Sequence, residues 1–192
     1  MTRLAGKRVL VLGAETEVGR AVASAVADAG ANMAAVAATS DAEAAFEVQR
    51  LARRSSSSDR KVIAQAIDAT NEMAVRVMVR QVSKELGGLD AVVSACDPGE
   101  ASKVAFEWTY KRASHEMLRR SGGVIVGLDP GVGLPQIKVV PRQRLGQPPT
   151  RYPDVVSEIV PTMGRSVNDV VDEVLEHIEA DLLTIAGEAE SG

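Results

Sequence analysis

The feature that most constrains the fold is an apolar run, a glycine turn and a helix-forming stretch, which follow one another within residues 7–30. Arg8–Leu12 reads as a buried central strand of a parallel sheet, because the run is almost entirely apolar. Gly13 can form the tight turn, and Gly19 permits close approach of the helix to the strand. Free N–H groups at the start of such a helix can bind a phosphate. The stretch therefore predicts a unit of the kind that holds nucleotides.

Glu17 is the residue of this turn that disagrees with a nucleotide site, because a dinucleotide-binding loop favours a glycine there. A carboxylate about 4 Å from a pyrophosphate charge adds repulsion of about 1 kcal/mol in water and about 4 kcal/mol at intermediate screening. The same side chain can also point into solvent at little cost. The turn thus predicts a nucleotide-binding scaffold with an altered nucleotide site.

Strand and helix patterns alternate through the first two thirds of the chain. This alternation predicts a parallel sheet built by right-handed crossovers, and hence an α/β, doubly wound, Rossmann-like fold. The first predicted helix ends near Gly30. The predicted strands are Arg8–Leu12, Asn32–Ala38, Val62–Ile67, Leu89–Cys96 and Gly123–Leu128, and the later helices span Asp41–Arg54, Asn71–Leu86 and Val104–Arg120.

Start and stop residues mark two of these helices. Ser40 and Glu43 form a Ser-x-x-Glu capping box for the second helix. Thr70 is the expected cap of the third helix, and Gly87 is its expected stop. The serine-rich stretch at residues 53–60 predicts a polar surface loop.

The alternation breaks beyond Leu128, where prolines and glycines punctuate the chain. Ile137–Val140 can form a short strand, but it lies too close to Leu128 for a helical crossover between parallel neighbours. Ser166 caps a last helix that runs to about Ala180 and carries one apolar stripe, which we expect to close the sheet edge. We divide a single domain, 1–192, into a βαβ core (1–128), a loop-rich segment (129–165) and a closing helix with a tail (166–192).

Composition argues against several classes of function. A formal net charge of −4 and an aromatic content of 3% give little basis for binding nucleic acid. The single cysteine, Cys96, cannot form an intramolecular disulfide, and no leader or long apolar run is evident. We therefore expect a cytoplasmic protein without a membrane span. Neither His115 nor His177 has a partner at an evident metal-ligand spacing, so the sequence predicts no metal site.

The order of these motifs resembles the short-chain dehydrogenase/reductase family, whose members bind NAD(H) or NADP(H) on such a sheet. The family's Thr-Gly-x-x-x-Gly-x-Gly looks like Leu12–Gly19, with the threonine and the middle glycine replaced. Asp68-Ala69 is similar to the family's pair that contacts adenine, whereas none of its Asn-Asn-Ala-Gly is retained at Ser94–Asp97. The cofactor contacts that the resemblance implies are Gly13, Ala14, Glu15, Thr16, Val18, Gly19, Asp68, Ala69 and Ser94.

The family's catalytic residues have no counterparts in this sequence. Family members use a Tyr-x-x-x-Lys pair, in which the lysine lowers the tyrosine pKa. Neither Tyr110 nor Tyr152 is followed by a lysine at the fourth position. Gly122–Pro135 looks like the segment that ends in the family's catalytic serine, but Asp129 stands near that serine's place. The resemblance thus implies that the catalytic helix, which also forms the family's usual dimer interface, is shortened or deleted, and we predict no catalytic residues of the family type.

Three functional hypotheses follow. The first is a non-catalytic structural or regulatory subunit of a homo- or hetero-oligomer, with a catalytic relative of the family as one possible partner. The second is an atypical NAD(P)-dependent oxidoreductase with acid–base groups drawn from Tyr110, Lys111, Asp97 or Asp129; a shifted alignment that treats YKRASH as a remnant of the catalytic helix supports it. The third is a module for another nucleotide or an acyl ligand.

The cofactor remains open at the level of sequence. Residues 37–40 contain no acidic side chain for the ribose 2′-hydroxyl of NAD. Thr39 and Ser40 can bind a 2′-phosphate, although no adjacent arginine or lysine supports them. If a dinucleotide binds, the sequence slightly favours NADP over NAD, and we expect its affinity to be weak or lost. Cys96 is expected to be a buried, unreactive thiol.

Overall fold

The computed structural model of the protein describes residues 3–120, 122–135 and 155–190, with side chains through Ala186. Strands and helices alternate along the described chain, as the sequence predicts. The strands are β1 (Arg8–Leu12), β2 (Asn32–Ala37), β3 (Val62–Ala66), β4 (Ala91–Ser94), β5 (Gly123–Asp129) and β6 (Val155–Pro161). The helices are α1 (Glu17–Asp28), α2 (Ala42–Ser55), α3 (Glu72–Leu86), α4 (Glu100–Leu118) and α5 (Val167–Glu190).

The described strands form one six-stranded sheet in the order β3-β2-β1-β4-β5-β6, and every pair is parallel. Helices α1, α2 and α5 pack on one face of the sheet, and α3 and α4 pack on the other. This is the doubly wound α/β fold that the sequence predicts. The chain reverses direction across the sheet between β1 and β4, and in such sheets ligands bind at the carboxyl ends of the strands near this switch point.

The four central strands are buried because helices cover both of their faces. Most of their residues are Val, Leu, Ile and Ala, which is typical of strands in two-sided parallel sheets. Small side chains also let helices approach closely. At Gly127 in β5, an added Cβ would lie 2.7 Å from the Phe106 ring of α4.

An ion pair joins the amino ends of the two central strands. The Asp90 carboxylate accepts hydrogen bonds from the Arg8 main-chain N–H at 2.8 Å and from its guanidinium at 2.8 and 2.6 Å. The same guanidinium donates to the Gly87 carbonyl at 2.7 Å. Arg8 begins β1 and Asp90 directly precedes β4, so this pair fixes the two strands at the end of the sheet opposite the switch point.

Two predicted helix caps are wrong by one residue. The cap of α2 is Asp41 rather than Ser40, since the Asp41 carboxylate accepts the Glu43 and Ala44 N–H groups. The cap of α3 is Asn71 rather than Thr70. In both places two adjacent residues can accept the same hydrogen bonds, and the backbone geometry decides between them.

The carboxyl-terminal third differs more from the prediction. Strand β6 lies within the stretch that we expected to be loop-rich, and it pairs in parallel with β5 over its whole length. Helix α4 begins at Glu100, earlier than predicted, and α5 continues to Glu190. Helix α5 packs on the sheet face beside α1 and β5, not along an edge. The predicted strand Ile137–Val140 lies outside the described residues.

Within the described ranges, none of the helices combines the length and the apolar character that a membrane crossing requires.

Candidate functional site

The glycine turn at the carboxyl end of β1 has the tight geometry that the sequence predicts. Gly13 has a φ of 82°, and its N–H donates to the Val36 carbonyl at 2.8 Å. A Cβ at Gly13 would lie 2.4 Å from the Ala95 carbonyl oxygen, and one at Gly19 would lie 2.0 Å from the Gly13 carbonyl oxygen. The buried Ala14 N–H also donates to Val36. Both glycines are therefore required by contacts within the protein, whatever the turn binds.

Thr16 caps α1 and ties the turn to β4. Its Oγ1 accepts the Gly19 N–H at 3.0 Å and lies 2.8 Å from the Gly13 carbonyl and 2.9 Å from the Ala95 carbonyl. The first N–H groups of a helix have no acceptor inside the helix, so those of Glu17 and the half-buried Val18 are left for an anion. The Glu17 side chain is exposed. An acidic residue at this position stabilises the helix through its dipole, and it repels an anionic ligand.

Glu15 turns back towards the end of β2. Its Oε1 accepts the N–H of Ala38 at 3.0 Å, while its Oε2 is buried and has no hydrogen-bond partner among the described residues. Burial raises the pKa of the Glu15 carboxyl, hydrogen bonds from the main-chain N–H groups of Glu15 and Ala38 lower it, and the charge of Asp97 raises it. The sequence predicts Glu15 as a site residue but not this contact, which links the turn after β1 to the end of β2.

The predicted adenine-contact residues lie beside the same strand end. The Ala69 N–H donates to the Ala38 carbonyl at 3.0 Å, which fixes the end of β3 next to that of β2. Asp68 is exposed, and hydrogen bonds from Thr70 lower its carboxyl pKa. Ser94 is only 2% exposed, and its hydroxyl lies 3.8 Å from Cys96 Sγ. The structure thus brings Asp68 and Ala69 to the site edge and keeps the Ser94 side chain in the interior.

Cys96 carries a strongly perturbed thiol. Burial raises its pKa to about 12; the Ser94 hydroxyl opposes this shift, and the charges of Glu15 and Asp97 add to it. The thiolate is the reactive form of cysteine. The structure therefore favours the unreactive thiol that we expected.

We expect Cys96 to react about 100-fold more slowly with an aromatic disulfide reagent at pH 8 in the native protein than in denaturant, since little thiolate is present. Stopped-flow absorbance of the released thiolate measures both rates. Equal rates in the two conditions would contradict the burial of this thiol.

Asp129, at the end of β5, closes the loop that follows it. Its Oδ1 accepts the N–H groups of Gly131, Val132 and Gly133 at 2.9, 2.9 and 3.2 Å, and its Oδ2 accepts the Leu134 N–H at 3.2 Å. The sequence held a signal for this turn, because Asp followed by Pro and Gly favours a local Asx turn. Because both carboxylate oxygens accept hydrogen bonds from main-chain N–H groups, the role of Asp129 here is structural.

Tyr110 and Lys111 of the alternative acid–base set lie on α4, whereas Asp97 and Asp129 lie at the strand ends. Tyr110, Ser114 and His115 line a cavity of about 450 Å³ beside this helix. The Tyr110 side chain is 1% exposed, and its ring centroid lies 6.0 Å from that of Phe106. Tyr110 comes ten residues after Glu100, the first residue of α4, which places it about 15 Å along the helix.

Lys111 lines the same cavity. Its Nζ lies 5.2 Å from the ring centroid of Trp108 and 3.9 Å from Glu72 Oε1. These contacts stabilise the ammonium through the aromatic face and an opposite charge. The structure therefore gives Lys111 one partner on α4, Trp108, and one on α3, Glu72.

Glu158, His177 and Asp181 form a cluster that sequence reasoning missed, with ligand atoms within 4.8 Å of one another. His177 and Asp181 are four residues apart on α5, a helical spacing that could have signalled their proximity. Burial and the charge of Glu158 raise the Asp181 pKa, which His177 opposes.

Comparison with known proteins agrees with the fold. The family model for short chain dehydrogenases matches residues 7–98. A short-chain type dehydrogenase/reductase from Mycobacterium marinum is 28% identical, with 69% of this chain and 61% of that chain covered and a TM-score of 0.56. A short chain dehydrogenase from Burkholderia cenocepacia, solved in complex with NADP, is 27% identical, with coverages of 67% and 57% and a TM-score of 0.56.

A short-chain type dehydrogenase/reductase from Mycobacterium ulcerans is 24% identical, with 66% of this chain and 52% of that chain covered and a TM-score of 0.58. No curated protein is a significant match. The chain spans between half and two thirds of the length of these three structures. The family match over residues 7–98 and the sheet shared with these structures support membership of this chain in the short-chain dehydrogenase/reductase family.

Proposed function

We propose that the chain binds a nicotinamide dinucleotide at the glycine turn and does not itself catalyse hydride transfer. Gly13, Gly19 and the Thr16 cap support the binding part, because they form the close strand-to-helix turn on which a pyrophosphate rests. The exposed Glu17 carboxylate opposes an anion there, so we expect weak binding.

The observation that carries the non-catalytic part is the bonding of Asp129. In this family the catalytic serine is expected near this position, and here a carboxylate accepts four main-chain N–H groups instead. An acid–base group must reach the proton it transfers, and both oxygens of Asp129 are already engaged. The stretch between β5 and β6, residues 130–154, contains one tyrosine and one lysine, and these do not stand four residues apart.

A role as a subunit of an oligomer fits the surface of α3. Met73 and Val77 are exposed one turn apart and line a groove of about 740 Å³ along the edge strand β3. Exposed apolar side chains beside an unpaired strand edge are typical of protein interfaces. Light scattering of the purified protein measures the mass, and a monomer at all concentrations would contradict the oligomer.

The test of the proposed function combines binding with turnover. Calorimetric titration with NADH and NADPH should give measurable heat for at least one of the two, and a panel of carbonyl substrates should produce no loss of absorbance at the nicotinamide band. Absence of binding for both cofactors would refute the binding part. Steady reduction of any carbonyl compound would refute the non-catalytic part.

The alternative, an atypical oxidoreductase, is favoured by the grouping of Tyr110, Lys111, Ser114 and His115 around one cavity. If turnover is found, Tyr110→Phe tests whether the chemistry takes place in this cavity or elsewhere in the protein. Loss of turnover in a variant that keeps its melting temperature would support chemistry in this cavity, and unchanged turnover would exclude Tyr110 as the proton donor.

A further inference from the structure

The carboxylate of Glu15 lies at the end of β2, although Glu15 belongs to the turn after β1. Its Oε1 accepts the N–H of Ala38, the first residue beyond β2, at 3.0 Å. The side chain therefore brings a negative charge from one strand end to that of the neighbouring strand. This contact supplies the acidic group that the sequence of residues 37–40 lacks.

The end of the second strand is where sheets of this order hold the adenosine ribose of a dinucleotide. There an acidic side chain binds the ribose 2′-hydroxyl of NAD, whereas NADP needs a cation for its 2′-phosphate. The Ala69 N–H bonds the Ala38 carbonyl at 3.0 Å, so the ends of β2 and β3 stay together beside the Glu15 carboxylate. Glu15 is thus placed to meet the part of the ligand in which the two cofactors differ.

The local hydrogen bonds favour a hydroxyl over a phosphate at this place. The Ala38 N–H, a donor that a phosphate can use, is already taken by Oε1. The Oε2 atom is buried and has no hydrogen-bond partner among the described residues, so the negative charge of this carboxylate is only partly compensated and disfavours a phosphate nearby. A ribose hydroxyl can donate a hydrogen bond, whereas an ionised phosphate presents acceptor oxygens and negative charge.

The charges around Glu15 also favour a hydroxyl over a phosphate. Within the described ranges no cation pairs with its carboxylate; Arg20 donates instead to the main-chain carbonyl of Glu15 at 2.9 Å. Asp97 lies close enough to raise the Glu15 pKa by its charge. A 2′-phosphate at the end of β2 would therefore face the Glu15 carboxylate without a paired cation, and the Asp97 carboxylate adds further negative charge to the surroundings.

We propose that Glu15 makes the site selective for NAD over NADP, an inference that rests on the dinucleotide binding proposed above. It reverses the slight preference for NADP that residues 37–40 predict. The specificity-determining carboxylate comes from the glycine turn instead of from the end of the second strand.

Calorimetric titration of the full chain with NADH and NADPH at pH 8 tests the inference; an alkaline pH favours the ionised form of the Glu15 carboxyl, whose pKa burial raises. We expect NADH to bind at least about tenfold more tightly than NADPH, and Glu15→Gln to remove most of that ratio. The matched control is Glu17→Gln, which removes an exposed carboxylate from the same turn. This substitution should increase the affinities for NADH and NADPH by the same factor and leave their ratio unchanged.

Two further measurements keep the outcomes distinct. ADP-ribose and its 2′-phosphorylated form, titrated into the wild-type protein, should show the same ratio, because the discrimination lies at the ribose. Arg20→Ala shows whether that arginine binds the 2′-phosphate. Absence of binding for both cofactors refutes the proposed function and, with it, the inference. Equal affinities, tighter NADPH binding, or a ratio that Glu15→Gln leaves intact refutes the inference alone.

Discussion

Replacing Gly13 by alanine should lower the free energy of unfolding by about 3 kcal/mol or more. Two causes add. The φ of 82° costs about 1 to 2 kcal/mol for a residue with a Cβ. The new Cβ would also lie 2.4 Å from the Ala95 carbonyl oxygen, a main-chain atom that can move only by displacing the end of β4.

Gly87→Ala is the matched control for this substitution. Gly87 has nearly the same φ, 81°, but an added Cβ would have no atom within 4 Å. Its cost should therefore be the conformational part alone, about 1 to 2 kcal/mol. Thermal unfolding should show a loss of about 10 °C for Gly13→Ala against about 3 to 6 °C for Gly87→Ala. Similar losses for the two variants would show that the contact with Ala95 is unimportant.

Asp129→Ala should lower the free energy of unfolding by about 2 to 3 kcal/mol, because the main-chain N–H groups of the following loop lose a charged acceptor. Asp129→Asn should cost less, since the amide retains one acceptor oxygen. Chemical unfolding in urea measures both. The midpoint should fall without a change in the slope of the transition.

Asp97→Ala is the control for Asp129. Asp97 also follows the end of a strand, but its side chain is exposed, and it accepts no hydrogen bond from the described residues. We expect its substitution to change stability by less than about 0.5 kcal/mol. If Asp129→Asn proved fully stable, the carboxylate would not serve the loop, and the structural interpretation of Asp129 would be lost.

The sequence was sufficient to predict most of the sheet, because each central strand is a nearly continuous apolar run that only a two-sided sheet can bury. Strand β6 was missed for the opposite reason. Its residues, Val155–Pro161, are mostly half-buried and lie between prolines, so the local pattern is that of a loop. What makes the segment a strand is its pairing with β5, which is a contact between distant parts of the chain.

The candidate site divides in the same way. The turn could be predicted because the positive φ of Gly13 and the close contact between Gly19 and the Gly13 carbonyl are both local to this short stretch. The direction of the Glu15 side chain could not, since it depends on a hydrogen bond to Ala38, 23 residues away in the chain. The role of Asp129 could be predicted only in part. The local sequence Asp-Pro-Gly favours a turn, but it is equally compatible with a carboxylate that is free to react.

The stacking of Lys111 on Trp108 has an optical consequence. Trp108 is the single tryptophan of the chain, and an ammonium 5.2 Å from its ring makes its fluorescence sensitive to any change at the cavity beside α4. A ligand that enters this cavity should shift or quench that emission. Oxidised NAD, which does not absorb where tryptophan emits, should leave it unchanged if it binds at the glycine turn. The protein thus carries an intrinsic fluorophore that distinguishes occupancy of the α4 cavity from occupancy of the strand ends.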